Sequence, residues 1–333
     1  MPVNPNHFLK KILIYAGFFI SAFLIIIILS KIDWPLFFST ISGLNLAWLI
    51  VAAILIVIGV FVRSLRWNLI TTYDIKNIRH FWEAVNLGYL GNLIYPARAG
   101  EIIRIVALHR FIGIPEGRVI ASSIVDRLAD GIMIPLFIVL IIEYFGETIE
   151  IPFVIDLFAF FFVTLSLFLV FFIIWGKKFE ETLVLRLGWI PQRWLGSISQ
   201  WYTSAHEGAS ALKNPVRLST VMALSIIAFT LDSATYYCMF LSFGWSLPAV
   251  AAIMMCIFIS AGSVLPSTPG YFGIYQVACI LALHPFGITG TASVAYSLVL
   301  QCVIYSIFLS AGGWIIIKTG FSLKKIRSEK DFD

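Results

Sequence analysis

The chain has 333 residues, 60% of them hydrophobic and only 12% charged, with a mean hydropathy of +0.94. Water-soluble globular proteins carry about 25% charged residues, so a soluble enzyme of this length is excluded, and the composition is that of an all-α polytopic membrane protein. Lys and Arg number 23 against 18 Asp and Glu, a net charge of +5. In a membrane protein that excess collects in cytoplasmic loops, and it gives no ground for nucleic-acid binding.

Lys10 and Lys11 precede an apolar run over 12–29 that imitates a signal peptide. Ser30 to Trp34 offers no small-residue cleavage site, so the run reads as a retained first span. A helix rises about 1.5 Å per residue, and roughly 20 apolar residues cross the hydrocarbon layer. Further full spans are expected at 44–62, 118–142, 153–175, 218–243 and 291–317, about six in all. Two other apolar regions, 82–109 and 249–287, are interrupted by proline and glycine. In the first, the arms 82–95 and 98–109 would be only about 21 and 18 Å long, which predicts a re-entrant hairpin. In the second the arms allow either two spans or a hairpin. The whole chain, 1–333, reads as one membrane domain.

Loop charge orients these elements, because short cytoplasmic loops gather Lys and Arg. The segment 63–81 holds Arg63, Arg66, Lys76 and Arg79 against Asp74, and 110–118 holds Arg110 and Arg118 against Glu116. Both are assigned to the cytoplasm, so 82–109 must enter and leave on that side. The segment 143–152 has Glu143, Glu147 and Glu150 and no base, and is placed outside. The basic segment 176–217 and the Lys-rich tail are cytoplasmic, as are both termini, in a bacterial-type inner membrane. No Lys or Arg occurs between Phe243 and the last span, and 249–287 then enters from the outer side, opposite to the first broken element.

The two interruptions echo each other. The first reads Gly-Asn-Leu-Ile-Tyr-Pro-Ala-Arg-Ala-Gly-Glu over 91–101 and the second Gly-Ser-Val-Leu-Pro-Ser-Thr-Pro-Gly over 262–270, each with Pro-x-x-x-Gly after a glycine. Matched broken helices of opposite orientation point to an inverted repeat with a transport site where the breaks meet. The plainer reading is that proline and glycine only allow kinks and close packing. A helix start concentrates partial positive charge and unpaired N–H groups. A restart after Pro96, and another with Thr268 as N-cap and Pro269 at the first position, would aim two such starts at an anion. Pro96, Gly100, Pro266, Pro269, Gly270 and Gly273 are the expected turn and hinge residues.

Arg98, Glu101 and Arg104 follow at spacing three, so Glu101 can pair with either arginine. Arginine binds phosphate with two hydrogen bonds, whereas an unpaired one near hydrocarbon is expensive. The next span carries Ser122, Asp126 and Asp130 on one face, with Arg127 three before Asp130. One arginine against two acids leaves a deficit that Arg98 or Arg104 can fill, giving a cross-helix network that is either structural or in contact with substrate. Asp232 stands deep in the span 218–243 as an isolated acid, a candidate for ion or proton coupling. Arg66-Trp67 reads as a snorkelling anchor, and 191–212 as a cytoplasmic interfacial helix. Cys238, Cys256, Cys279 and Cys302 lie in apolar stretches as buried thiols. No metal spacing, Walker loop or dinucleotide fingerprint occurs, so no metal or cofactor is expected.

Taken in order, Arg66-Trp67, the 91–104 segment Gly-Asn-Leu-Ile-Tyr-Pro-Ala-Arg-Ala-Gly-Glu-Ile-Ile-Arg, Asp126-Arg127-x-x-Asp130, and Pro-x-x-Pro-Gly-x-x-Gly over 266–273 resemble the transmembrane domain of the lysylphosphatidylglycerol synthetase/flippase family. That resemblance implies lipid translocation between leaflets. Only about 16 residues follow the final span, so synthetase activity is not implied. Where the family commonly has an acid and an arginine, this chain offers Gln276 and Gln301, a neutral pair able to hydrogen-bond. The expected function is translocation of a phosphate-bearing phospholipid or lipid-linked substrate, with Arg98, Arg104 and Arg127 at the phosphate and no enzymatic step. An intramembrane enzyme acting on a lipid-linked substrate and a non-catalytic membrane subunit are the competing readings.

Overall fold

The computed structural model describes residues 30–72, 75–96, 98–145, 214–264 and 269–321, with isolated positions at 26–27 and between 160 and 171. The expected first span, the span 153–175, the interfacial helix 191–212, Pro266, Thr268 and the basic tail lie outside these residues or almost wholly so. Among the described residues there are nine α-helices and no strands: α1 (Trp34–Ser42), α2 (Leu46–Thr71), α3 (Ile78–Ile94), α4 (Gly100–Ile112), α5 (Glu116–Phe145), α6 (Pro215–Ser242), α7 (Ala249–Val264), α8 (Ile274–Leu283) and α9 (Gly290–Thr319). The protein is an all-α polytopic membrane protein.

Helix ends follow local chemistry. Asn45, Asn214 and Thr289 cap α2, α6 and α9 with side-chain oxygens that accept from backbone N–H groups of the first turn. Tyr95 is extended, as a residue before proline must be, and α3 stops there. By length and composition α2, α6 and α9 can each cross a membrane. Helix α5, 30 residues long, has the length to do so as well but carries charge through its first half. Helix α3 at about 26 Å, α4 at about 20 Å and α8 at about 15 Å fall short of a bilayer core. The second broken element has one longer helix, α7, and one short helix, α8.

The described elements repeat in order: a long helix, a broken hairpin, then a 30-residue helix. Helices α2, α3–α4 and α5 make the first set, and α6, α7–α8 and α9 the second. The two leading helices, α2 and α6, pack against each other along their length, and each hairpin's arms pack side by side. In the first hairpin the approach is close enough to require glycine. A Cβ on Gly100 would overlap the Gly88 carbonyl, and one on Gly91 would lie 2.9 Å from the Gly100 Cα. Gly100→Ala is accordingly expected to force α3 and α4 apart at a stability loss of about 1–3 kcal/mol, read as a lower melting temperature in detergent. An unchanged melting temperature would remove glycine from the explanation of this packing.

The second restart differs from the Thr268–Pro269 expectation. Pro269–Tyr271 form a short 3-10 turn, and left-handed backbone at Gly270 (φ 71°), Tyr271 (φ 61°) and Gly273 (φ 87°) keeps helix from forming until Ile274. The expected loop 63–81 is also shorter, because α2 continues to Thr71 and takes Arg63 and Arg66 with it. Cys238, Cys256 and Cys279 are buried, but Cys302 is exposed on α9, so the expectation of four buried thiols fails there.

Candidate lipid-headgroup site

The Pro269–Tyr271 turn packs against α3, so the second break meets the first hairpin. Between them lies a cavity of about 390 Å³. Arg98, Glu101, Arg127 and Asp130 form one part of its wall, and Arg63 with Asp232 another. Ile134, Phe229, Ile259, Leu300, Ile304 and Phe308 supply apolar surface. Gly270 and Tyr271 bring the second break to the same space.

Behind the charged wall the ion network continues into buried helix packing through Arg66, Arg104 and Asp126. Arg66 is inaccessible to solvent, yet it sits 2.8 Å from Asp126 and 2.7 Å from Asp130, and it also donates to the Ser225 hydroxyl at 2.9 Å. The next residue, Trp67, is equally buried and donates its indole N–H to the Ser122 hydroxyl at 3.1 Å. This corrects the snorkelling reading of Arg66-Trp67. An arginine can be withdrawn from the interface when carboxylates on another helix neutralise it, and here the face of α5 bearing Ser122, Asp126 and Asp130 is turned onto α2.

Arg104 joins the hairpin to the same network. It pairs with Glu101 at 2.9 Å and with Asp126 at 3.3 Å, donates to Ser123, and lies 4.7 Å above the Trp67 ring. It is 3% exposed and faces the helix packing, whereas Arg98 and Arg127 face the cavity. Arg127 reaches Asp126 at 3.1 Å, Asp130 at 3.2 Å and Glu101 at 3.7 Å. Arg98 is the least engaged of the arginines here. Its one carboxylate contact, to Glu101, is 3.9 Å, and its backbone is left-handed at φ 57°.

Asp232 is not isolated: it accepts hydrogen bonds from both terminal nitrogens of Arg63 across the α2–α6 contact. Taken together, five arginines (Arg63, Arg66, Arg98, Arg104, Arg127) stand among four carboxylates (Glu101, Asp126, Asp130, Asp232). These nine residues carry one excess positive charge, while on the cavity wall itself Arg63, Arg98 and Arg127 stand with Glu101, Asp130 and Asp232.

The helix starts contribute less than the sequence pattern predicts. At α4 the first three N–H groups are already taken, by the Asn92 side chain at 2.9 Å and by the carbonyls of Arg98 and Ala99. At α8 the Gly273 N–H donates to Gln276 Oε1 at 2.7 Å. Guanidinium groups, rather than exposed backbone, are therefore the main anion-attracting feature. Gln276 in turn donates to Gln301 at 2.7 Å, Gln301 donates to the Gly270 carbonyl at 3.0 Å, and Tyr305 donates to the same carbonyl. This neutral chain fixes the second break against α9.

Arg63, Arg66 and the tyrosines of the cavity were not singled out as site residues by sequence reasoning. One signal was present: Leu65, Trp67, Leu69 and Ile70 keep the segment apolar beyond Arg63, which argues that the helix does not end there.

The family model described as the lysylphosphatidylglycerol synthase TM region matches residues 14–313. A UPF0104 membrane protein of Methanothermobacter thermautotrophicus is 24% identical over 306 residues, covering 85% of this chain and 87% of its own length. A UPF0104 membrane protein of Methanocaldococcus jannaschii is 24% identical over 329 residues, covering 92% and 95%. No solved structure matches.

Proposed function

The chain belongs to the lysylphosphatidylglycerol synthase transmembrane-region family, and from that premise we propose that it moves a phosphate-bearing lipid between membrane leaflets through the cavity where the two breaks meet. The observation that carries this reading is the placement of Arg63, Arg98 and Arg127 on the wall of a cavity that also has an apolar side, within a network of five arginines and four carboxylates that carries one excess positive charge. Excess positive charge beside apolar surface is stabilised by an anion, and a lipid phosphate brings its own apolar part. Arg98 and Arg127 hold the phosphate, while Arg104, Glu101, Asp126 and Asp130 set the position and charge of that pair.

Translocation needs the site to face each leaflet in turn. The two hairpins enter from opposite sides as re-entrant elements of an inverted repeat, and rearrangement at Gly270 and Gly273 exchanges access. The Arg63–Asp232 pair spans the contact between the two leading helices. Opening it on protonation of Asp232 would couple movement to a proton gradient. Both termini are cytoplasmic in this reading. The protein acts as a translocator and not as an enzyme, and it needs no cofactor and no nucleic acid.

Reconstitution into liposomes with headgroup-labelled anionic lipid tests the proposal. Outer-leaflet label is expected to become protected only when protein is present. The lipid recovered afterwards is expected to be chemically unchanged. No movement of any lipid, with or without a pH gradient, would overturn the translocation reading, and a covalently altered lipid would favour an intramembrane enzyme.

A further inference from the structure

Building on the translocation reading, we infer that the ligand of the cavity is a phosphodiester lipid whose headgroup is an uncharged polyol, recognised through the hydroxyls of Tyr89, Tyr236 and Tyr275. The first argument is electrostatic. Each of the four carboxylates of the network is paired with arginine, so a headgroup ammonium finds no free counter-ion among the described residues and meets a network already positive by one charge. An amine would have to displace a guanidinium from its carboxylate, and truncating or orphaning a buried charge is costly.

The second argument concerns hydrogen bonds. All three tyrosines line the cavity, and their hydroxyls, which are not among the buried side-chain atoms left without a partner, stand open to it with no hydrogen bond to the described residues. Tyr89 is stacked on Phe308 at 4.5 Å, and Tyr275 lies 5.8 Å from the Tyr271 ring, so both rings are fixed by packing. Tyr236 is 8% exposed. Hydroxyls that face the cavity are free to bond a ligand, and a hydrogen bond of this kind is worth about 0.5–1.5 kcal/mol. A phenol both donates and accepts, matching an alcohol in either direction. Aromatic rings can also cage a quaternary ammonium, but here the rings share the cavity wall with three guanidinium groups, Arg63, Arg98 and Arg127, and with carboxylates that are already paired.

Size is the third argument. A volume of about 390 Å³ is at the small end of ligand pockets, roughly 300–1,000 Å³. It takes a headgroup and leaves acyl chains in the surrounding membrane.

The test is binding to the purified full-length protein in detergent, followed by thermal shift, using short-chain phosphatidylglycerol, phosphatidylethanolamine, phosphatidylcholine and glycerol phosphate as probes. Phosphatidylglycerol is expected to bind at least tenfold more tightly than either amine-bearing lipid. Tyr236→Phe with Tyr275→Phe, which keeps both rings, is expected to weaken phosphatidylglycerol by roughly tenfold, the equivalent of about 1.4 kcal/mol for two lost hydrogen bonds, and to leave the amine-bearing lipids unaffected. Equal or tighter binding of an amine-bearing lipid, or an unchanged preference in the double variant, would overturn the assignment. Glycerol phosphate binding as tightly as the lipid would identify a soluble phosphate ligand and overturn it too. The outcomes separate the two proposals. Lipid movement in liposomes without polyol preference removes only the headgroup assignment, whereas polyol-selective binding without movement removes only translocation.

Discussion

Arg66→Met is expected to destabilise the folded protein by about 3–5 kcal/mol, the usual result of removing one partner from a buried ion pair. Arg66 has no solvent exposure and engages Asp126 through two nitrogens, Asp130 through a third, and Ser225. Methionine preserves much of the volume but leaves Asp126, itself 1% exposed, with only Arg104 at 3.3 Å and Arg127 at 3.1 Å. The expected readout is a large fall in melting temperature and in the yield of monodisperse protein. Arg66→Met combined with Asp126→Asn should cost less than the sum of the two single variants, because the two residues lose the same contact. Arg66→Lys should be intermediate, since an ammonium cannot reproduce the planar fork. A single variant that melts like the native protein would mean that this network does not hold α2 to α5.

Arg98→Gln is expected to do the opposite: lipid movement falls by roughly tenfold to a hundredfold, the value of a charge-assisted contact, while melting is little changed. Arg98 is 26% exposed on its side chain, and its single carboxylate contact is 3.9 Å long. It therefore contributes little to the fold. Its loss leaves four arginines with four carboxylates, removing the charge that recommends an anion. Backbone strain sharpens the contrast. A left-handed conformation disfavours a non-glycine residue by about 1–2 kcal/mol, and Arg98 holds φ 57° directly beside the second break, where Tyr271 holds φ 61°. Arg98→Gly should thus keep or raise the melting temperature while still losing movement. Normal movement in both variants would dissociate Arg98 from the ligand.

The difference between these two arginines was not visible in the sequence, although both stand in the motifs that carry the family resemblance. Hydropathy was enough to place α2, α5, α6 and α9, because burial in hydrocarbon depends on a residue's own side chain and its near neighbours. Proline and glycine marked both breaks for a similarly local reason: Pro96 stops α3 by steric conflict with Tyr95. Pairings within one helix were also legible, such as Glu101 with Arg104 and Arg127 with Asp130, since spacing three brings those groups to one face.

Tertiary structure decided everything that depends on a distant partner. Arg63 and Arg66 looked like loop cations because their neutralising acids lie 169 and 60 residues away, at Asp232 and Asp126. The α4 start looked open to an anion because its occupant, Asn92, reaches back from the other arm of the hairpin. The α8 restart was expected too early, because the turn is held by Gln301 and Tyr305 of α9 rather than by its own sequence. Sequence by itself determined an all-helical membrane protein with two interruptions and a concentration of charge, since those follow from local hydrophobicity and backbone sterics. The excess charge of the ion network and the tyrosines on the cavity wall were decided by packing, because electrostatic compensation is a property of the groups that meet in space, and in this fold those groups come from helices far apart in the chain.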